Sequence, residues 1–161
     1  DGRYVAGRGT APSGGGYAAL WEAASGGRVL ERTYAGPATC VQPGPTGRWL
    51  AVEEGETGVH QWDVANRTEI RTFAGALFTC REWQEDVPTF SPDETRILLA
   101  AGAGAELRDA SDGALVADLT LDGAMLPWLA FTPDGSTLAV EAPLPKDLER
   151  LLRCLRKFAR K

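Results

Sequence analysis

His60 is the only histidine in the chain, and it lies in a short apolar run two residues before Trp62. A Ser-His-Asp device needs a nucleophile and an orienting acid that converge on the imidazole. No spacing here supplies them, so His60 reads as a structural or surface side chain. The turn EEGETG places the carboxylates of Glu53, Glu54 and Glu56 together and could attract a cation. It lacks the alternating Asp/Asn ligands and bidentate Glu of a calcium loop, so a solvated turn is expected. GRGTAPSGGG (7–16) and AAGAGAE (100–106) are glycine-rich, yet a phosphate cradle must open directly into a helix. Strand-like sequence follows both, and they read as hairpin turns. Cys40, Cys80 and Cys154 form an odd set without C-x-x-C spacing. They are expected to be reduced, structural thiols rather than zinc ligands or a disulfide framework. Asn66-Arg67-Thr68 matches a glycosylation acceptor, which matters only in a secreted eukaryotic protein. No catalytic residue, cofactor or metal is implied.

The elements that carry these residues are short. Glycine (19) and proline (10) fall at regular intervals between apolar runs, as turns do in an all-β chain. No apolar run approaches the roughly 18 residues of a helical membrane span, and no basic-then-apolar leader opens the chain. A cytoplasmic location without membrane partners is therefore expected. The net charge of −5 conceals a division. Residues 1–145 hold 10 Arg and no Lys against 20 Asp plus Glu, whereas 146–161 hold 4 Arg and 3 Lys against 2 acids. An acidic body argues against nucleic acid as a partner, because that partner requires a basic face.

The runs repeat. DGRYVA, PTGRWLAV, PDETRILLA and PDGSTLAV each join a turn to an apolar strand, with Pro92-Asp93 and Pro133-Asp134-Gly135 as the best-preserved turns. AALWEAASGGRVL, VHQWDVANRTEI and AELRDASDGALV follow the first three, aligning Trp21 with Trp62 and Glu22 with Asp63 and Asp109. Gly36, Gly75 and Gly123 close each unit. Four antiparallel strands fit the period, at 38–42, 48–53, 58–63 and 68–73 in the best-defined unit. The second strand of each unit is nearly continuous in apolar residues and should be buried on both faces, so the units must stack.

These markers, Leu-Trp-Glu and Gln-Trp-Asp at the end of the third strand and Phe-Ser-Pro-Asp or Phe-Thr-Pro-Asp-Gly before the second, resemble the WD-repeat β-propeller family in its bacterial style. The resemblance covers about residues 1–141 and implies a partial propeller with blades at about 1–34, 35–73, 74–120 and 121–141, two complete and two partial. Two departures mark the blades as degenerate. Ala-Gly or Asp-Gly stands where the family has Gly-His, so its His-to-Asp network cannot form, and Arg108 stands where Trp belongs. Asp1-Gly2 then reads as the end of a turn whose first strand is missing, which implies a fragment of a larger protein or a ring completed by a second copy.

After Val140 the pattern changes. Leu148, Leu151, Leu152, Leu155 and Phe158 lie at helical spacing with acids first and bases last, which predicts a basic amphipathic helix over 145–161, read either as a cap on the last blade or as a helix that binds a membrane surface or a partner. One further feature stands out. The Gly-to-Pro interval is 9 residues in the second unit (36 to 45) and 10 in the fourth (123 to 133), but 17 in the third (75 to 92). The extra residues, in CREWQEDVPTF, carry Trp83 among Glu82, Glu85 and Asp86, an aromatic anchor with a charged rim. The resemblance implies non-catalytic binding or scaffolding through protein partners, with these four residues and Glu53, Glu54 and Glu56 as the contact set. A second reading makes the chain a gating or regulatory propeller attached to a hydrolase or kinase domain elsewhere.

Overall fold

Each apolar run bounded by Gly, Pro, Asn or Asp forms a strand. The computed structural model describes residues 2–55, 57–77, 89–102, 104–119 and 128–141. Twelve strands occur there: β1 (Tyr4–Thr10), β2 (Gly16–Glu22), β3 (Arg28–Tyr34), β4 (Ala38–Pro43), β5 (Trp49–Glu54), β6 (Gly58–Asp63), β7 (Thr68–Phe73), β8 (Arg96–Ala101), β9 (Gly104–Asp109), β10 (Leu115–Asp118), β11 (Trp128–Phe131) and β12 (Leu138–Glu141). They make four antiparallel sheets, ordered β1-β2-β3, β4-β5-β6-β7, β10-β9-β8 and β11-β12. The chain is all-β over these residues. The expected helix at 145–161 lies outside the described residues.

Hydrophobic alternation decides how the sheets meet. In β5, Leu50 and Val52 pack with Ala18, Leu20 and Leu30 of the first sheet, while Trp49 and Ala51 pack with Ile97 and Leu99 of the third. In β8, Leu98 and Ala100 turn the other way, to Leu129 of the fourth. Each central strand is thus buried on both faces, as its sequence requires, and the sheets stack face to face. Complete burial of a Leu, Ile or Val stabilises by about 1.5–3 kcal/mol, so these strands dominate the core.

Three features differ from the sequence reading. β1 continues to Thr10, so Gly7 and Gly9 lie inside a strand and the hairpin turn is confined to 11–15. Gly7 is needed there because the Trp21 ring lies against its backbone, 3.0 Å from where a Cβ would sit. In the third sheet, no continuous strand flanks β8 on the side opposite β9 among the described residues. Two isolated bridges stand in its place, Ala76 with Ala100 and Phe90 with Ile97. Finally, Cys40 is disulfide-bonded, which overturns the expectation of reduced thiols. Cys80 and Cys154 lie outside the described residues.

Candidate functional site

Pro92-Asp93 and Pro133-Asp134 fold into turns with matching hydrogen bonds. Asp93 Oδ1 accepts from Ser91 Oγ, Thr95 N and Thr95 Oγ1, and Asp134 Oδ1 accepts from Thr132 Oγ1, Ser136 N and Ser136 Oγ. The Ser91 hydroxyl leads in holding the Asp93 carboxyl below the usual range, and the Thr132 hydroxyl leads in holding Asp134 down to about 2. Asp63 and Asp109 cap the later turns. Asp63 accepts from Asn66 N and Nδ2; Asp109 accepts from Ser111 N and Oγ and pairs with Arg96 at 2.6 Å. Both are held low, led by the Asn66 backbone and the Ser111 hydroxyl respectively. These aspartates position turns.

The second unit lacks an aspartate at this position and has Thr46 instead. Its carboxylate comes from the neighbouring sheet. Glu94, only 2% exposed, accepts from Thr46 N (2.7 Å) and Gly47 N (3.1 Å) through Oε1, and from Thr46 Oγ1 (2.8 Å) and Arg48 N (3.2 Å) through Oε2. Its backbone carbonyl accepts from Trp49 Nε1 at 3.1 Å. Glu94 holds this pose with φ at 55°, where the equivalent Gly47 and Gly135 sit at 79° and 72°. Gly44 leaves the space that the carboxylate fills.

The EEGETG turn divides. Glu54 is buried: Oε1 accepts from Gly36 N at 2.6 Å, and Oε2 lies 3.0 Å from His60 Nε2. Glu53 is half-buried and accepts from Leu77 N and Thr39 Oγ1 at 2.6 and 2.8 Å. The expectation of a solvated turn fails for Glu54, because its carboxylate joins two sheet edges. Glu56 lies outside the described residues, as do Glu82, Trp83, Glu85 and Asp86.

His60 is a buried bridge. Nδ1 meets Glu69 Oε1 at 2.7 Å, Nε2 meets Glu54, and Tyr34 lies over the ring with centroids 5.0 Å apart. Thr72 Oγ1 is 3.3 Å from Nδ1, yet it donates to Glu69 at 2.9 Å, and Glu69 occupies the nitrogen that would accept a nucleophile's proton. Tyr34 accepts from Trp62 Nε1 at 3.0 Å, and burial pushes its phenol well above the ordinary value. Trp62, Tyr34, His60, Glu54 and Glu69 thus form a polar network where the degenerate repeat pattern predicted none. Trp21 rests on Gly7 in the first sheet.

Two arginines repeat a contact that the sequence reading missed. Arg32 Nη2 donates to the Arg67 carbonyl at 2.7 Å, and Arg71 Nη2 donates to the Ser111 carbonyl at 2.6 Å. Each reaches from the last strand of one sheet to a turn of the next. No group of His, Cys, Asp and Glu suited to a metal occurs among the described residues, and no helix long and apolar enough to cross a membrane occurs among them. No family model matches the chain, and no curated protein matches it.

Proposed function

We propose that the chain is a run of WD-repeat-like β-propeller blades that binds protein partners and performs no chemistry of its own. One observation carries this reading: Glu53, Glu54 and His60, the described residues among those that the sequence offered for chemistry, are engaged in hydrogen bonds within the fold. The second sheet also has the strand order of a four-stranded blade, with its first three strands consecutive neighbours and both faces covered. Side chains for recognition then come from the connections, as is usual where a rigid scaffold presents loops. Residues 80–90, CREWQEDVPTF, are the contact segment in this reading, with Trp83 as anchor and Glu82, Glu85 and Asp86 as its rim.

A photo-crosslinking amino acid at position 83, introduced in the source cell, tests this. A protein adduct of discrete mass that excess native chain suppresses, and excess Trp83→Ala chain of unchanged Tm does not, supports it. Equal suppression by the Trp83→Ala chain sinks it. The Cys40 disulfide also bears on location. Such bonds persist in oxidising compartments, so we place the protein there rather than in the cytoplasm. Alkylation and mass measurement on freshly isolated protein reads this directly, and a Cys40 thiol that alkylates without prior reduction overturns it.

A further inference from the structure

We infer that β3 and the adjoining turns of the second sheet form a docking surface for an extended acidic polypeptide, which adds as a strand to the free edge of β3. The inference rests on the protein-binding reading and names a second surface, at the end of the strands opposite the 53–58 turn. Two depressions of about 610 and 440 Å³ adjoin there, sharing Val29 and Arg67. Five of the 10 arginines in residues 1–145 line them: Arg3, Arg28, Arg32, Arg48 and Arg67. Glu31 is the only acid in either lining.

The charge is available. Arg67 makes no side-chain hydrogen bond or ion pair among the described residues. Arg32 stacks on Trp62 (4.6 Å) and donates only to the Glu31 and Arg67 carbonyls, and Arg48 stacks on Trp49 (4.3 Å). Arg28 pairs with Glu31, but both are exposed, and such pairs are readily exchanged. The Arg32 guanidinium is therefore ordered by a ring and two carbonyls, and that of Arg48 by a ring.

Geometry selects an extended chain. β3 is the outer strand of its sheet, with no strand beyond it among the described residues, so one row of its backbone groups is open to pairing. Arg28 and Arg32 both lie on β3, with a register irregularity beside Val29 between them, and each borders the same depression. Carboxylates of an added strand can reach both, and the partly buried Val29 adjoins the two depressions. The body's net negative charge repels a large polyanion such as a nucleic-acid duplex over most of its surface, whereas a single strand can keep to the basic stripe. The basic residues 146–161 have the sign of the groove and do not complement it.

The probe is a fluorescent seven-residue peptide of alternating Glu and Val, titrated by anisotropy at low and physiological salt. Alternating Lys and Val, and oligo-dT of equal charge, serve as comparisons. Arg67→Asn keeps a residue that tolerates positive φ, so it removes the charge with little threat to folding. We expect it, and Arg28→Gln, each to weaken the Glu-Val peptide about fivefold or more, with Arg8→Gln unchanged. N-methylation of alternate peptide amides should abolish binding in one register and spare it in the other. Equal losses from Arg8→Gln, equal affinity for oligo-dT, or indifference to methylation in both registers overturns the proposal. Crosslinking at position 83 is independent of this surface, so its survival alongside a failed titration rejects β3 alone.

Discussion

Replacing Glu94 should uncouple the second and third sheets, and the cost can be worked from its contacts. The carboxylate accepts from three backbone N–H groups and one hydroxyl. An unsatisfied buried donor costs about 1–3 kcal/mol. Gly47 is buried and bears the full penalty, whereas Thr46 and Arg48 are exposed and water can replace part of what they lose. Loss of the acceptor therefore costs about 3–4 kcal/mol. Glu94→Gly recovers about 1 kcal/mol of left-handed strain, leaving a net loss of about 2–3 kcal/mol and a fall in Tm of roughly 5–10 °C. The decisive assay is a double-mutant cycle with Thr46→Asp, followed by thermal and urea unfolding. In the native background the new carboxylate faces Glu94 and destabilises by about 1 kcal/mol; in Glu94→Gly it restores the acceptor seen in the other turns and stabilises by about 1 kcal/mol. Additivity within about 0.5 kcal/mol, or a harmless Glu94→Gly, would refute the idea that this turn borrows its acceptor.

Other perturbations test the same framework. The Asp63, Asp93, Asp109 and Asp134 carboxyls lie below their ordinary 3.8, with Asp134 at about 2. Depressed values stabilise the fold above the unfolded value and lose that contribution as pH falls through the folded ones. Tm should thus hold to about pH 5 and drop between pH 4 and 2, and Asp93→Asn should lower Tm at pH 7 but converge with the native chain near pH 2. Gly47→Ala combines a φ of 79° with a collision against the Tyr4 ring, and should cost about 2 kcal/mol or more in urea unfolding. Reduction of the Cys40 disulfide should cost about 2–4 kcal/mol, and Cys40→Ser should make Tm insensitive to reductant.

Much of the architecture was legible because it follows from periodicity. The strands expected at 58–63 and 68–73 match β6 and β7 residue for residue, and the one expected at 48–53 is displaced by a single position. Burial of β5 and β8 on both faces follows from their unbroken apolar runs. Contacts made between units were harder to read. Thr46 in place of Asp and Glu94 in place of Gly look like separate lapses in the repeat, and only their juxtaposition in space makes them one device. Burial of Glu54 and His60 was equally hidden, since alternation gives a side chain's face but not the depth of the turn beside it. The odd cysteine count pointed away from a disulfide, because parity says nothing about which two of three thiols meet.

The interrupted strand position beside β8 has an evolutionary consequence. Ala76 and Phe90 both bridge to β8, at residues only three apart, so the chain between them begins and ends at fixed, nearby points of a rigid sheet. Lengthening or replacing that segment adds little closure entropy, because its cost grows only as the logarithm of length. The sheet can therefore exchange one connecting segment for another while Ile97, Leu98 and Leu99 stay packed. It offers a place where sequence can drift without selection on folding.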